Sequence, residues 1–107
     1  MNKIQPYFSV IICCFNSEKF IKETIDSVIN QSFKDWEIVL VDDGSTDSTA
    51  RIVEDYMSQG ININYFFQEN RGFASARNKC LELAKGKWIV IIDHDDICLP
   101  DRLNIHN

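Results

Sequence analysis

Three carboxylates directly follow an apolar run in the segment Trp88-Ile-Val-Ile-Ile-Asp93-His94-Asp95-Asp96. The β-branched, uniformly apolar character of the run predicts a strand that is buried on both faces. Because an unpaired buried charge is costly, we expect the acids at the strand's C-terminal end, where open α/β sheets bind their ligands. Crowded carboxylate oxygens suit Mg²⁺ or Mn²⁺, and a bound cation would relieve their repulsion. An acidic, solvated loop is the alternative.

A second acidic segment, Asp42-Asp43-Gly44-Ser45-Thr46-Asp47, follows the apolar run 36–41. Asp43 could accept hydrogen bonds from a nucleobase imide N–H or a ribose hydroxyl. Phe15, at the end of the first predicted strand, offers a flat apolar face on which a base could stack. The alternative for the acidic segment is a turn followed by a helix cap, and taken alone the segment fits that alternative better.

The apolar periodicity predicts four strands that alternate with three helices. The strands are predicted over 8–15, 36–41, 61–67 and 88–92, and the third should be more exposed because two asparagines alternate with its apolar residues. Ser17 is predicted to cap the first helix, and Thr46 or Asp47 the second, which Gly60 ends. The third helix is predicted over 73–84. The apolar faces of the first two helices comprise Phe20, Ile21, Ile25, Val28 and Ile29, and Ile52, Val53, Tyr56 and Met57.

This order, β-α-β-α-β-α-β, predicts a Rossmann-like α/β fold, a doubly wound parallel sheet with right-handed crossovers and helices on both faces. Asn16, Asp42, Asp43 and the acids 93–96 would then stand at one edge of one sheet. We expect Asn16 to hold the loop after the first strand rather than to contact a ligand.

Composition narrows the function classes. The chain has 107 residues, a net charge of −5 and scattered basic residues, which argues against a nucleic-acid partner. No apolar run is long enough to span a membrane, and the start lacks a signal-peptide core, so a cytoplasmic location is expected. The four cysteines, Cys13, Cys14, Cys80 and Cys98, lack zinc-site spacing and are interpreted as reduced thiols that mostly fill the core. His94 suits a hard cation less well than its carboxylate neighbours.

The common phosphate-binding loops are missing from the sequence. Neither GxGxxG nor GxxxxGK[ST] follows the first strand, where the chain continues Cys13-Cys14-Phe15-Asn16. A diphosphate would therefore need a metal held by the acids 93–96, and such a metal also stabilises a departing diphosphate.

The chain resembles the N-terminal half of the family 2 glycosyltransferases, which are inverting nucleotide-sugar enzymes of GT-A fold. Five segments carry the resemblance in order, over nearly all of residues 1–107. They are Phe8 to Asn16 with the helix ending at Gln31, Trp36 to Asp47, Asn70-Arg-Gly72 with Ala76-Arg-Asn78, Asp93-His-Asp95 as a DxD motif, and Pro100-Asp-Arg-Leu103.

The resemblance implies roles for nucleotide-contacting residues. Asp43 matches the acid that holds the uracil or other base, and Asp42 is its supporting neighbour. Phe15 occupies the position of a base-stacking aromatic residue. Arg77 would lie near the nucleotide, with a surface salt bridge as the alternative. The family commonly has Pro-Thr-Tyr where this chain has Cys13-Cys14-Phe15, which leaves the base open.

The resemblance also implies a metal, Mn²⁺ or Mg²⁺, coordinated by Asp95, with Asp93 contacting the ribose or sharing the metal. A UDP-sugar is the expected donor, and a glycan or lipid-linked acceptor is expected for the full protein, which could be peripheral at the inner membrane face. The general base of such enzymes belongs to the second half of the domain, so we expect the isolated chain to be inactive.

Two rival interpretations remain open. One is a non-catalytic nucleotide-binding or self-associating module that forms homo-oligomers through an exposed sheet edge or an uncovered face. The other is a receiver-like phosphoacceptor domain, which would require a late strand that bears a lysine.

Overall fold

The computed structural model describes residues 5–93, with Asp93 described by its backbone alone. Seven elements alternate along these residues, as the periodicity predicts. The strands are β1 (Phe8–Cys14), β2 (Trp36–Asp42), β3 (Ile63–Phe67) and β4 (Trp88–Asp93), and the helices are α1 (Ile21–Ile29), α2 (Thr49–Ser58) and α3 (Phe73–Leu83). Among the described residues, no helix has the length and apolar character needed to cross a membrane.

The four strands form one parallel sheet in the order β3-β2-β1-β4. The chain first moves outward from β1 to β3 and then crosses back to place β4 on the other side of β1. This reversal creates a switch point between β1 and β4, the position at which doubly wound sheets bind ligands. Cys13 of β1 pairs with Val41 on one side and with Asp93 on the other. The predicted Rossmann-like architecture is confirmed.

Helices cover both faces of the sheet, but unequally. Helices α1 and α2 pack on the face that carries Val10, Ile12 and Leu40, where the larger core lies. Helix α3 packs on the opposite face through Ala76 and Cys80, and it contacts β1 and β2. A segment that crosses back over two strands lies above those two strands, which leaves β4 without a described helix on this face.

The prediction that β4 is buried on both faces is wrong. Val90 and Ile92 are buried against the α1 and α2 side, whereas Ile89 and Ile91 remain 41% and 43% exposed on the other. Trp88, at the start of the strand, is also exposed. The reason is position: β4 is an edge strand of the described sheet, and α3 does not extend over it. The prediction that β3 is more exposed is confirmed, since its last two residues are exposed.

The predicted helix starts are only partly correct. The N-cap of α1 is Phe20 rather than Ser17. The carbonyl of Ser17 accepts the N–H groups of Phe20 and Ile21, and α1 begins three residues later than a cap at Ser17 would place it. Phe20 is therefore exposed and does not join the buried stripe. For α2, the N-cap is Ser48 rather than Thr46 or Asp47, although Asp47, one residue earlier, accepts the N–H of Thr49, the first helical residue.

Candidate functional site

Four parts of the chain lie where the four strands end. We call this edge the carboxyl rim and define it by residues 14–17, 42–49, 68–72 and the backbone of Asp93. Strands β2 and β4 flank β1, so the Cα atoms of Val41 and Asp93 are about 10 Å apart, two strand spacings. The N–H of Asp43 donates to the carbonyl of Cys14 at 2.8 Å, which ties the end of β2 to the end of β1.

Reciprocal hydrogen bonds join the loops after β1 and β2. The N–H of Asn16 donates to Oγ of Ser45 at 2.7 Å, and the N–H of Thr46 donates to Oδ1 of Asn16 at 2.8 Å. Asn16 has a φ of 48°, a left-handed conformation that asparagine tolerates better than most residues. The side chain of Asn16 thus joins the loop after β1 to the loop after β2, in agreement with its expected role in holding the first of these loops.

Asp42 is fully buried, and both of its oxygens have protein partners. Oδ1 accepts the N–H of Ser45 at 2.9 Å, and Oδ2 accepts the hydroxyl of Tyr65 at 2.7 Å. Burial, together with this bond to Asp42, raises the pKa of Tyr65 far above its usual value, so the phenol stays a donor. Asp42 therefore fixes the turn after β2 from within and is not exposed to a ligand.

Asp43 is only 2% exposed and accepts three hydrogen bonds from the loop before α3. Oδ1 accepts the side-chain amide of Gln68 and the N–H of Arg71, each at 2.8 Å, and Oδ2 accepts the N–H of Gly72 at 2.9 Å. A carboxylate offers about four acceptor positions. Residues 68–72 occupy three of them, so within the described residues one position on Oδ2 has no donor.

The pKa of Asp43 lies below its usual value. Burial alone would raise it, but the N–H of Arg71, the amide of Gln68 and the N–H of Gly72 outweigh burial and stabilise the charged form. Asp43 is thus held as a carboxylate acceptor. An acceptor of this kind could take a hydrogen bond from an imide N–H or a hydroxyl.

Gly44 brings the β2 loop against the loop before α3. Its φ is +88°, and a Cβ at this position would lie 2.9 Å from the backbone nitrogen of Asn70. Only a residue without a side chain fits such an approach without strain. The loops that surround Asp43 are therefore packed closely on both sides.

Phe15 and Arg77 lie on two sides of the rim. Phe15 directly follows β1 and is 36% exposed, so part of this residue is accessible to a partner. Arg77 is exposed on α3, where it lines an open groove of about 370 Å³ with Phe73, Ala74 and Asn78. Among residues 5–93 no carboxylate pairs with Arg77, so the salt-bridge alternative has no support from this part of the chain.

The predicted metal-binding segment begins at the carboxyl rim. Asp93 is the last residue of β4, at the switch point beside β1. Within the described residues, no group of three or more His, Cys, Asp or Glu side chains is arranged to hold a metal ion. His94, Asp95 and Asp96 lie outside the described residues. The carboxylate chemistry of the segment fits a hard cation, and the backbone of Asp93 places the start of this segment at the rim.

Sequence reasoning missed the donors that fix the rim carboxylates. The sequence pattern places Tyr65 in the third strand and assigns no role to Gln68, although each donates a hydrogen bond to one of the paired acids. Polar side chains at and after the end of a parallel strand were an available signal, because strand ends share one edge of the sheet. The second signal was Gly72, whose φ of 98° orients its N–H towards Asp43.

Comparison with known proteins identifies close relatives of this arrangement. TuaG of Bacillus subtilis (strain 168), a glycosyltransferase provisionally assigned to teichuronic acid biosynthesis, is 40% identical over 105 residues. This match covers 96% of the chain but 41% of TuaG, so the chain spans less than half of that relative.

Solved structures share the fold at high similarity. S. aureus TarS in complex with UDP superposes with a TM-score of 0.85 at 37% identity, covering 92% of this chain and 30% of that one. TarS has also been solved with UDP-GlcNAc. The mannosyltransferase PcManGT of Pyrobaculum calidifontis, in complex with GDP-Man and Mn²⁺, gives a TM-score of 0.84 at 30% identity, covering 98% of this chain and 32% of that one.

The sequence profile described as glycosyl transferase family 2 matches residues 9–105, nearly the whole chain. The match includes every segment of the carboxyl rim and confirms the resemblance that the motifs indicated. This protein therefore belongs to glycosyl transferase family 2.

Proposed function

We propose that the carboxyl rim binds the nucleotide of a UDP-sugar and that the complete enzyme transfers the sugar, with inversion, to an acceptor hydroxyl. The observation that carries this proposal is the carboxylate of Asp43, which is buried and charged and keeps an acceptor position at the rim. TarS, whose fold this chain shares, has been solved with UDP, and PcManGT with GDP-Man, which supports a nucleoside diphosphate sugar as donor.

Each rim residue has a proposed task. Asp43 accepts the imide N–H of the base, and the partly exposed ring of Phe15 stacks on the base. Asp42 holds the turn that presents Asp43, and Arg77 offers a positive charge to the nucleotide from α3. Asp93 lies on the switch-point side, near the ribose or the metal.

Mn²⁺ or Mg²⁺ is the proposed cofactor, with Asp95 and Asp93 as its ligands. When bound, such an ion stabilises negative charge on a departing diphosphate. This chain's own contribution is to fix the base and ribose, so that the sugar is presented outward from the switch point. The proposed acceptor of the full protein is a glycan or a lipid-linked molecule. The general base is proposed to lie outside these 107 residues, so this chain alone should transfer no sugar.

Isothermal titration with UDP, with and without Mn²⁺, tests this proposal. We expect metal-dependent binding that Asp95→Ala reduces at least tenfold, while Asp55→Ala, which removes an exposed carboxylate from α2, leaves it unchanged. Equal affinity with and without Mn²⁺ in wild type would remove the metal from the proposal. No binding of UDP by the folded chain under either condition would contradict the nucleotide site itself.

The exposed face of β4 favours self-association as a second property. Ile89 and Ile91 present apolar side chains on the face that α3 leaves uncovered. We expect the isolated chain to dimerise in a concentration series by analytical ultracentrifugation, and Ile91→Lys to weaken the dimer. Met57→Lys, a matched change at an exposed apolar residue of α2, should not. A monomer at all concentrations would contradict self-association.

A cytoplasmic location stays a prediction.

A further inference from the structure

Two cysteine sulfurs face each other between β1 and α3. Sγ of Cys13 lies 3.9 Å from Sγ of Cys80, although the two residues are 67 positions apart in the sequence. Cys80 is fully buried, and its sulfur also lies within 3.8 Å of the carbonyls of Ile12 and Val39. Cys13 is only partly buried. One cysteine of the pair is therefore enclosed, and the other is only partly buried.

The expectation that the cysteines fill the core describes only part of this arrangement. Cys80 and Cys14 are buried, as expected of small apolar side chains, whereas Cys13 is not. Cys13 is the residue that pairs with both Val41 and Asp93, immediately behind the carboxyl rim. Cys13 thus combines partial exposure with contact to a second thiol.

Cys13 and Cys14 are adjacent in β1 but differ in access. Cys13 is only partly buried, whereas Cys14 is buried, and burial together with the nearby charge of Asp42 raises the pKa of Cys14 well above the usual range. Nucleophilic reactivity of cysteine follows thiolate character and access, so the two adjacent cysteines should react differently.

We propose that Cys13 and Cys80 form an oxidisable dithiol, in which Cys13 reacts with hydrogen peroxide and Cys80 resolves the product to a disulfide between β1 and α3. The thiolate sulfur of Cys13 attacks one peroxide oxygen, the O–O bond breaks, hydroxide leaves and Cys13 becomes a sulfenic acid. The thiol of Cys80 then attacks the sulfenic sulfur, and the hydroxyl leaves as water. Two electrons pass from the sulfurs to the peroxide, which ends as two molecules of water.

The geometry allows the second step with a modest movement. A disulfide bond is about 2.05 Å long, so the sulfurs, now 3.9 Å apart, must approach by roughly 2 Å. Rotation of the Cys13 side chain, together with a small shift of α3 toward β1, could supply this. The proposal does not depend on nucleotide binding, because both sulfurs and their neighbours belong to the fold itself.

Peroxide treatment of the 107-residue chain carrying Cys98→Ser tests this inference, since Cys98 lies outside the described residues. We expect the loss of two hydrogen atoms by intact mass, a Cys13–Cys80 cross-linked peptide after digestion, and a rise in Tm on the order of 10 °C. Cys14→Ser should form the same cross-link. Cys80→Ala should stop at a sulfenic acid on Cys13, which dimedone traps.

Two results would overturn the proposal. One is a folded, peroxide-treated Cys98→Ser chain whose digest contains no Cys13–Cys80 peptide. The other is dimedone labelling of Cys14 in preference to Cys13. If Cys80→Ala fails to fold, the peptide map of the Cys98→Ser and Cys14→Ser chains still decides the matter, because it identifies the joined residues directly.

Discussion

Two buried carboxylates, Glu37 near the start of β2 and Asp43 directly after its end, bind the loops at the two ends of α3. At the carboxyl rim, Asp43 binds the loop that leads into α3 through Arg71 and Gly72. At the amino end, Glu37, which is 5% exposed, binds the loop that leaves α3: its Oε2 accepts the hydroxyl of Ser9 at 2.6 Å and the N–H of Lys85 at 2.8 Å.

Both sites also depend on a glycine that allows backbones to approach. A Cβ on Gly86 would lie 2.5 Å from the backbone nitrogen of Ser9, and the N–H of Gly86 donates to Oγ of Ser9. At the rim, a Cβ on Gly44 would lie similarly close to the backbone nitrogen of Asn70, at 2.9 Å. The same device, a buried acid, loop N–H donors and a close glycine, thus recurs at opposite ends of one strand.

The difference between the two carboxylates lies in how their oxygens are used. Asp43 accepts backbone N–H groups on both oxygens, whereas the bonds of Glu37 within the described residues converge on Oε2. Asp43 also stands among the segments that meet at the switch point, and Glu37 does not. Burial of an acid alone therefore does not mark a ligand site; its place at the carboxyl ends of the strands does.

Replacing each acid by its amide should give the largest contrast. In Asp43→Asn, one oxygen becomes an NH₂ group that faces a backbone N–H, so we expect a loss of about 3 kcal/mol in the free energy of unfolding. In Glu37→Gln, the amide oxygen can take the place of Oε2, and we expect the free energy of unfolding to fall by only about 1 kcal/mol. Urea denaturation followed by circular dichroism measures both. Equal losses would show that the two sites are equivalent.

Adding a methyl group to Gly44 tests the close packing at the rim. Gly44→Ala combines an unfavourable φ with a contact to Asn70, and we expect a loss of about 2 kcal/mol in unfolding free energy. Gly60→Ala is the matched control, because Gly60 has a φ of +89° but nothing within 4 Å of the added Cβ, and about 1 kcal/mol is expected. If Gly60→Ala lowers the unfolding free energy as much as Gly44→Ala does, the backbone conformation alone accounts for the loss, and the contact with Asn70 contributes nothing.

The smallest expected effect is the pH dependence of the Asp43 contribution. Because the folded-state pKa of Asp43 is lowered, its contribution is fully present above the unfolded value of about 3.9 and is lost as the pH falls through the folded value. The difference in unfolding free energy between wild type and Asp43→Asn should be constant near neutrality and shrink below about pH 4. A difference that grows on acidification would contradict this assignment.

Much of the fold follows from local patterns in the sequence. Continuous apolar runs identify β1 and β2 because both strands lie inside the sheet, covered on both faces. The same pattern misleads for β4, since periodicity does not encode strand order, and in the observed order Ile89 and Ile91 on this strand are exposed.

The candidate site was predictable to the same degree. Parallel strand ends share one edge, so the convergence of Asp42, Asp43 and Asp93 followed from the order of elements alone. The partners of these acids did not, because Gln68 and Tyr65 meet them only through tertiary contacts. Glu37 offered one overlooked signal, a charge inside an otherwise apolar strand, which requires a buried partner.

Amide chemical-shift mapping of the chain during titration with UDP and Mg²⁺ tests the central claim most directly, because it compares the two ends of the sheet in one experiment. The proposed site predicts shifts at residues 14–16, 43–45 and 68–72, with Lys85, Gly86 and the amide of Glu37 unchanged. Shifts confined to the amino end, or none at saturating UDP, would contradict a nucleotide site at the carboxyl rim.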